Sequence, residues 1–323
     1  MSEQVKSAAA DPTEGLENVQ VLNRQLMDQI VASSEGEVKS ASTAGTNMIR
    51  RRIREEGFLR RILPPQTVTN DDLDRVLQND KPVIIEDMEP LSPGAKSIPF
   101  GDSADTQFYY GNKYACVFNP ITTPEWTKDI NELRTYRMDL RQVITDNSLK
   151  DVQTEEDGKF IGMVDEICGA TNGVGAAGVQ QNFNISGGIT RDTYKEVLSK
   201  LEDQNLNNGI FLMNRRTAKE FLSWNRSEIG GDLAQDMFKE GLAALSSATI
   251  MGVKHIFTIK RDLVPDNVVF LFTEPGYLGK FYILQDVVMF IEKKKDILRF
   301  SARETISTTI ANVAGCMKIT FVP

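Results

Sequence analysis

The pattern of apolar and polar positions divides the 323-residue chain into a sparse first part and a dense second part. Residues 1–15 and 32–47 offer almost nothing to bury. Between them, the apolar positions of 16–31 recur at the spacing of one amphipathic helix. Such a helix needs a partner surface, and polar termini are ordered only when something holds them. We therefore expect residues 1–47 to form an arm held by other molecules.

An arginine-rich segment follows the arm. Residues 50–61 contain six arginines and two glutamates, and a Pro64-Pro65 pair stops the helix that this segment predicts. The segment could contact nucleic acid or form ion pairs with an acidic neighbour. Ion pairing is favoured, because only Phe58 offers a ring for stacking on bases. Residues 146–166, with seven acidic and two basic residues, are an acidic counterpart.

Residues 62–122 predict an extended excursion from the rest of the chain. A strand is expected at Val83–Glu86, and the sequence TQFYYGNKYACVF predicts a hairpin whose two arms meet at Gly111-Asn112. The excursion has too few apolar residues for a core of its own. We expect it to pack on another surface.

The second part of the chain predicts a long helix and a mixed body. Apolar residues from Ile130 to Ile144 recur at helical spacing, and after an acidic break the pattern resumes over 158–168. Beyond residue 189, helices and strands alternate irregularly. They include a helix capped by Thr190 and buried strands at GIFLMN and NVVFLFT. The absence of regular strand–helix–strand repeats favours an α+β fold.

The sequence GVGAAG at 173–178 matches the spacing of the dinucleotide-binding fingerprint, with Gly173, Gly175 and Gly178 in place. The fingerprint requires a strand before the loop and a helix after it. Here a helical pattern precedes the loop and a strand-like one follows. Asp192 lies at a tolerable distance for a ribose contact, but acidic residues are too common for this to be informative. We interpret the three glycines as a hinge and expect no cofactor.

Composition narrows the possible functions. A net charge of −8 argues against tight nonspecific binding to nucleic acid, although a local basic patch remains possible. Cys116, Cys168 and Cys316 lie far apart, which excludes a cysteine zinc site and favours buried free thiols over an intersubunit disulfide. His255, the one histidine, is expected at a half-buried or surface position. We expect no metal site and no enzymatic activity.

Nothing in the sequence indicates passage into or across a membrane. No run of 18 or more apolar residues is present, and the first residues lack a basic segment followed by an apolar one. We therefore expect a protein made in the cytoplasm, without a membrane partner.

The order of elements resembles that of the major capsid proteins of tailed bacteriophages, which have the Hong Kong 97-type (Johnson) fold. The segments that carry the resemblance are IFLMNRRTAKEFLSWN, GVKHIFTIKRDLVPDNVVFLF and FSARETISTTIANVAG. The resemblance extends over residues 48–323 and implies an α+β capsid fold. The implied regions are an N-terminal arm (1–47), a basic helix (48–61), an extended E-loop (62–122), a spine helix with the peripheral domain (123–188), an axial domain (189–285) and a return to the peripheral domain (286–323).

The resemblance also implies a function in assembly rather than chemistry. Copies are expected to form pentamers and hexamers of an icosahedral shell around double-stranded DNA, which is contacted nonspecifically. Portal and scaffold or decoration proteins are expected partners, and the virion is the expected location, after assembly in the host cytoplasm. The expected intersubunit contact residues are Arg50, Arg51, Arg52, Arg54, Arg60, Arg61, Glu155, Glu156, Asp157, Tyr109, Tyr110 and Tyr114. Two alternatives remain open: an encapsulin-like shell protein, and a nucleotide-binding enzyme that uses the glycine loop.

Overall fold

The structure is a computed structural model that describes residues 57–75, 81–88, 95, 97–103, 106, 111–129, 131–132, 140–224, 249–250 and 252–322. Several of the expected features lie outside the described residues. They are the arm (1–47), most of the basic helix, and the contact candidates Arg50, Arg51, Arg52, Arg54, Tyr109 and Tyr110.

Helices and strands are mixed along the described chain. The helices are α1 (Leu59–Ile62), α2 (Leu140–Cys168), α3 (Arg191–Glu202), α4 (Arg215–Ala218) and α5 (Pro275–Leu278). The strands are β1 (Gln66–Thr67), β2 (Val83–Asp87), β3 (Lys113–Val117), β4 (Asn119–Thr122), β5 (Trp126–Asp129), β6 (Asn182–Ser186), β7 (Asn208–Asn214), β8 (Thr249–Ile250), β9 (Val253–Thr258), β10 (Val268–Thr273), β11 (Gly279–Lys294), β12 (Ile297–Ile310) and β13 (Cys316–Val322).

The described strands form two sheets and one isolated pair. The first sheet has the order β1-β11-β12-β4, and β5 also pairs with β12. The second sheet has the order β6-β13-β10-β7-β9-β8, and β2 pairs with β3. This irregular, largely antiparallel arrangement confirms the predicted α+β class. Within the described residues, no helix combines the length and the apolarity that a membrane crossing requires.

The central strand β10 explains how the second sheet supports two hydrophobic cores. All six of its residues are buried, and successive side chains point to opposite faces. Phe270 and Phe272 belong to the core that includes Phe160 of α2. Val269 and Leu271 belong to the core on the opposite face, which includes the apolar residues of α3. The apolar run that predicted a buried strand is thus covered by a helix on each face.

The long helix α2 is continuous over its 29 described residues. The sequence predicted a helix that continues after an acidic interruption of its apolar pattern, and the helix runs through that acidic segment. Glu156 and Asp157 lie in the helix interior and are both fully buried. The helix continues through the acidic segment because these carboxylates find cationic partners inside the protein, so they need no solvent.

The capping prediction for the next helix is confirmed. Thr190 precedes α3, and its hydroxyl oxygen accepts a hydrogen bond of 3.3 Å from the Thr193 backbone N–H. This bond satisfies one of the donors that a helix N-terminus leaves unpaired.

Of the predicted hairpin, the described residues include the second arm. Strand β3 begins directly after Gly111-Asn112 and pairs antiparallel with β2, and Ile85 lies opposite Ala115. The proposed first arm at 107–110 lies outside the described residues. The pair packs through Ile84, Cys116 and Phe118 against Tyr282 of β11. This small core confirms that the excursion depends on another surface, here a sheet of the same chain.

His255 lies inside the second sheet, so the prediction of a half-buried or surface ring is wrong. Its ring is fully buried and stacks near Phe211, with ring centroids 5.5 Å apart. The Nε2 atom lies 3.3 Å from the Tyr194 hydroxyl, which is also buried. Burial lowers the pKa of His255 to about 4. The ring is therefore neutral at pH 7.

We expect the free energy of unfolding to fall as the pH falls from about 6.5 to 4. The unfolded chain binds a proton at His255 near pH 6.5, whereas the folded chain does not bind it until about pH 4. The neutral ring of His255 therefore contributes about 3 kcal/mol to the free energy of unfolding above pH 6.5, and this contribution is lost as the pH falls to 4. Urea unfolding of wild type and His255→Leu at pH 7, 5.5 and 4 measures it. Equal pH dependence of the two proteins would contradict this assignment.

Candidate functional site

A buried ion cluster joins three distant parts of the chain. Arg60 of α1 donates from Nη2 to Glu156 Oε1 of α2 over 2.6 Å and to Glu304 Oε2 of β12 over 3.2 Å. Its Nε donates to both Glu156 oxygens, at 3.1 and 3.2 Å. All three side chains are at most 1% exposed. The guanidinium carbon also lies 5.6 Å from the ring centroid of Phe281.

One of the two carboxyl groups in this cluster carries a proton at neutral pH. Burial, reinforced by the nearby charge of Glu156, raises the pKa of Glu304 to about 9. Burial also raises the pKa of Glu156, and the bonds from Arg60 oppose that effect. We assign the negative charge to Glu156, which makes the closest contacts with Arg60. The cluster then contains one cation, one anion and one neutral acid, and it has no net charge.

The adjacent acid of α2 is held by different partners. Asp157 Oδ1 accepts from the backbone N–H of Leu59 over 2.9 Å, and Oδ2 accepts from Lys260 Nζ over 2.6 Å. Lys260 also lies over the ring of Phe58, 5.8 Å from its centroid. Glu156 and Asp157 together therefore fix the start of the described chain on α2.

These contacts correct part of the expected intersubunit set. Arg60, Glu156 and Asp157 are buried within one chain and have partners there, because each faces the interior rather than the protein surface. They therefore have no free surface for a neighbouring subunit. The ion pairing between the arginine-rich and acidic segments is real, but at these residues it is intramolecular.

The other described contact candidates have accessible surface. Arg61 is partly buried, and Glu155 is exposed and forms an ion pair with Lys159 over 3.7 Å. Tyr114 is partly buried on β3, where burial raises its pKa. An open groove of about 370 Å³ lies between β4 and α2 and is lined by Glu155 and Asp151. An intersubunit role for Arg61, Glu155 and Tyr114 stays a prediction.

The excursion presents large apolar side chains to solvent. Phe100 is fully exposed, and Ile98 is 46% exposed. Ile85 and Met88 at the β2 strand are also more than one third exposed. On the other side of this segment, the Tyr282 hydroxyl donates a hydrogen bond to the Glu86 carboxylate, which ties β2 to the first sheet. Among its described residues, the segment is thus anchored through Glu86 and exposes four large apolar side chains.

The glycine loop is a tightly bonded connection between α2 and β6. Its order is helix, loop and strand, the reverse of the dinucleotide fingerprint, as the apolar pattern on either side of the loop predicted. A Cβ on Gly175 would collide with Gln181 Oε1 and would lie 2.8 Å from the Ile167 carbonyl oxygen. Gly178 has a φ of 76°, a conformation that favours glycine. Close packing and backbone geometry thus explain two of the glycines.

Gln181 fastens this loop to the end of the chain. Its Nε2 donates to the backbone carbonyls of Val313 over 2.6 Å and Cys316 over 2.9 Å, and its Oε1 accepts from Ala177 N–H over 3.0 Å. The predicted hinge at Gly173, Gly175 and Gly178 stays a prediction. Any hinge motion there would have to break these bonds.

The described residues contain no cluster of histidine, cysteine and acidic side chains that could hold a metal ion. Cys116, Cys168 and Cys316 are free and buried, as the sequence predicted. Burial is the main reason that the pKa of the Cys116 thiol is raised. Such thiols are poor nucleophiles.

The sequence-based analysis missed Glu304, a member of the ion cluster, and Lys260, the partner of Asp157. A signal for Glu304 was present. In FSARETIST, alternate residues Ala302, Glu304 and Ile306 lie on one strand face, so a charge occurs between two buried positions. Lys260 gave no such signal, because it lies in a loop whose path only the fold determines.

Replacing Arg60 by leucine should destabilise the protein by about 3–5 kcal/mol, because Glu156 would remain buried without a partner. The neighbouring substitution Arg61→Leu, at a more accessible position, should cost less than about 1 kcal/mol. The double variant Arg60→Leu/Glu156→Leu should recover part of the loss. Chemical denaturation at pH 7 measures all three, and an equal effect of the two arginine substitutions would refute a special role for Arg60.

Glu304→Gln should make the protein less sensitive to alkali. The folded chain keeps the Glu304 proton up to about pH 9, whereas the unfolded chain releases it near pH 4.5. The contribution of this proton to the free energy of unfolding is therefore complete below pH 4.5 and is lost as the pH rises through 9. Between pH 5 and 8, wild type should lose about 2–4 kcal/mol relative to the variant. Denaturation curves at both pH values test this. Glu155→Gln, at an exposed position, is the control and should retain the wild-type trend.

Comparisons with known proteins place this geometry among solved particle shells. The sequence matches no protein-family model and no curated relative. A subunit from the capsid of the empty GTA particle, computed with C5 symmetry, is similar at a TM-score of 0.56 and 14% identity, over 82% of this chain and 90% of that chain. The capsid of cyanophage P-SCSP1u gives a TM-score of 0.55 at 8% identity, over 81% and 86% of the two chains.

A third similar structure comes from a different kind of source. The virus-like particle from Pyrococcus furiosus gives a TM-score of 0.50 at 15% identity, over 87% of this chain and 97% of that chain. Sequence identities this low establish the fold alone. This chain has the α+β fold of these capsid and particle subunits, the Hong Kong 97-type fold that its sequence resembles.

Proposed function

We propose that this protein is a major capsid protein, whose copies assemble into the icosahedral shell of a tailed-phage-type particle around double-stranded DNA. The observation that carries the proposal is the fold. It is shared over about four-fifths of this chain with subunits of the cyanophage P-SCSP1u and GTA capsids. Pentamers and hexamers are the expected units, and the GTA capsid was computed with C5 symmetry. The virion is the proposed location.

Two features of the described residues support assembly. The excursion exposes Phe100 and Ile98, which a protein with no partner has reason to bury. We assign this segment to the E-loop of the fold and propose that it lies on a neighbouring copy. The absence of a metal cluster among the described residues, and the buried state of the three thiols, are consistent with a structural role.

The net charge of −8 fits a shell that contains DNA without binding it tightly. Release of packaged DNA requires that the inner surface does not hold the phosphate backbone strongly. We propose that contacts with DNA are nonspecific, and that portal and scaffold or decoration proteins complete the particle.

An encapsulin-like compartment is the second candidate. It is favoured by the likeness to the virus-like particle from Pyrococcus furiosus, of which 97% is covered. The two functions are distinguished by the contents of particles that are purified from the natural source. A phage-type head contains double-stranded DNA, whereas a compartment contains protein cargo.

Assembly of the purified full-length protein tests the proposed function. We expect closed shells, tubes or rings in negative-stain electron microscopy, together with a large species on a sizing column with light scattering. Assembly should become more complete as the protein concentration rises and when a crowding polymer is added. A monomer or dimer at millimolar concentration under all these conditions would contradict the proposal.

Phe100→Ser should reduce assembly without reducing stability. The side chain is fully exposed in the isolated chain, so its removal costs no described core contact. If Phe100 is buried by a neighbouring copy, the loss of about 2–3 kcal/mol per contact raises the midpoint concentration for assembly by at least about tenfold. Sizing and thermal unfolding measure the two effects separately. Asp102→Ser, at an exposed position in the same loop, is the control and should assemble normally.

A further inference from the structure

The ends of two parallel strands bring basic residues together at one corner of the second sheet. β7 and β9 run parallel and in register, and their last residues, Asn214 and Thr258, are paired. Arg215 and Ile259 therefore follow at neighbouring positions of the same sheet edge. Side chains that follow parallel strands converge at this edge, where binding sites of many sheets are found. We use the name basic corner for Arg215, Arg216, Ile259 and Arg261.

One carboxylate holds two arginines of the basic corner in a fixed arrangement. Asp266 Oδ2 lies 3.2 Å from Arg216 Nη1 and 2.5 Å from Arg261 Nη2, and Oδ1 accepts from Arg261 Nε over 3.2 Å. Asn214 Nδ2 also donates to Asp266 Oδ1, over 3.3 Å. The arginine side chains remain 67% and 58% exposed. They are thus oriented by protein contacts while most of their surface is open to a partner.

The charge of this arrangement is not neutralised by Asp266 alone. Arg216 and Arg261 share the Asp266 carboxylate, Arg215 is exposed beside them, and Asp262, next to Arg261, is exposed as well, so the three arginines exceed the two carboxylates by one charge. Lys260 does not contribute to the surface in the same way, because it turns inward to Asp157. A positive patch is complementary in charge to another copy of the same chain, which has a net charge of −8.

Ile259 indicates a protein partner rather than nucleic acid. Its side chain is 73% exposed, although it follows a residue buried in β9. Arginine is enriched in protein interfaces, and a protein partner can bury an exposed aliphatic side chain beside it. A phosphate backbone would bind the arginines and leave Ile259 without a contact.

We propose that the basic corner binds an acidic surface of a second copy of this chain, with Ile259 as the apolar contact at its centre. The inference rests on the proposed function, because it names an interface of the assembled shell. A guanidinium group binds a carboxylate through two parallel hydrogen bonds. Since Asp266 already orients Arg216 and Arg261, less conformational entropy is lost when the partner binds.

Charge reversal in the full-length protein tests the inference. Arg216→Glu/Arg261→Glu should raise the midpoint concentration for assembly by about tenfold or more, because like charges then face each other across the interface. Assembly is measured by sizing with light scattering and by electron microscopy. The matched control, Arg191→Glu/Lys195→Glu on α3, changes the net charge equally and should stay within about twofold of wild type. An equal defect in the control would overturn the inference, because net charge alone would then explain it.

Two further variants keep the test valid if charge reversal disturbs folding. Arg216→Gln/Arg261→Gln removes the charges without adding repulsion, and it should weaken both the assembly and its dependence on salt. Ile259→Ser changes no charge and should raise the midpoint by about threefold or more, since a buried aliphatic contact is lost. Thermal unfolding near the wild-type temperature confirms that each variant is folded.

The failures of the two proposals are distinguishable. Wild type that never assembles would refute the proposed function and this inference with it. Normal assembly of the charge-reversed and Ile259→Ser variants would refute the inference alone. A 20-base-pair DNA duplex is the probe for the other type of partner. If the arginine variants lose DNA binding but assemble normally, the corner binds nucleic acid and the inference is wrong.

Discussion

Two consecutive acidic residues in the middle of the long helix constrain the arrangement of the whole described chain. Glu156 and Asp157 point into the protein, where a carboxylate without a partner is strongly destabilising. Arg60 approaches one and Lys260 the other, while Glu304 completes the cluster as a neutral acid. These contacts join the helix, the segment before β1, the β9–β10 loop and β12.

Apolar residues would fill the same space without this directional requirement. Leucine side chains pack in several registers, whereas Arg60 must meet both Glu156 and Glu304 at hydrogen-bonding distance. The buried cluster therefore contributes specificity more than net stability, because desolvation offsets much of its electrostatic gain. It lies at the meeting point of α1, α2 and the first sheet and fixes the position of α1.

Apolar side chains are covered in the second sheet but partly exposed in the excursion. The second sheet is covered on both faces and needs no partner for its core. The excursion has only the small cluster around Phe118 and Tyr282, and it exposes Phe100. A self-sufficient body with a dependent projection fits the proposed shell, in which we propose that each copy folds first and buries its projection on a neighbour later.

The sequence by itself determined the elements that depend on local chemistry. The apolar run of β10, the Thr190 cap and the helix that precedes the glycine loop were all predicted, because periodicity and capping act over a few residues. The layout of these elements was also sufficient to indicate the capsid fold. In the candidate site, the pairing of arginine-rich and acidic segments followed from charge pattern alone.

Only the tertiary structure decided which of these charges are internal. The spacing of Arg60 and Glu156 along the chain contains no information on whether they meet within one copy or between copies, and burial gives the answer. The same holds for the β2–β3 pair, for the burial of His255, and for the meeting of Arg216 with Arg261 across two strand ends. Each depends on contacts between residues far apart in sequence, which local propensities do not encode, because the strand order that creates them is a property of the complete fold.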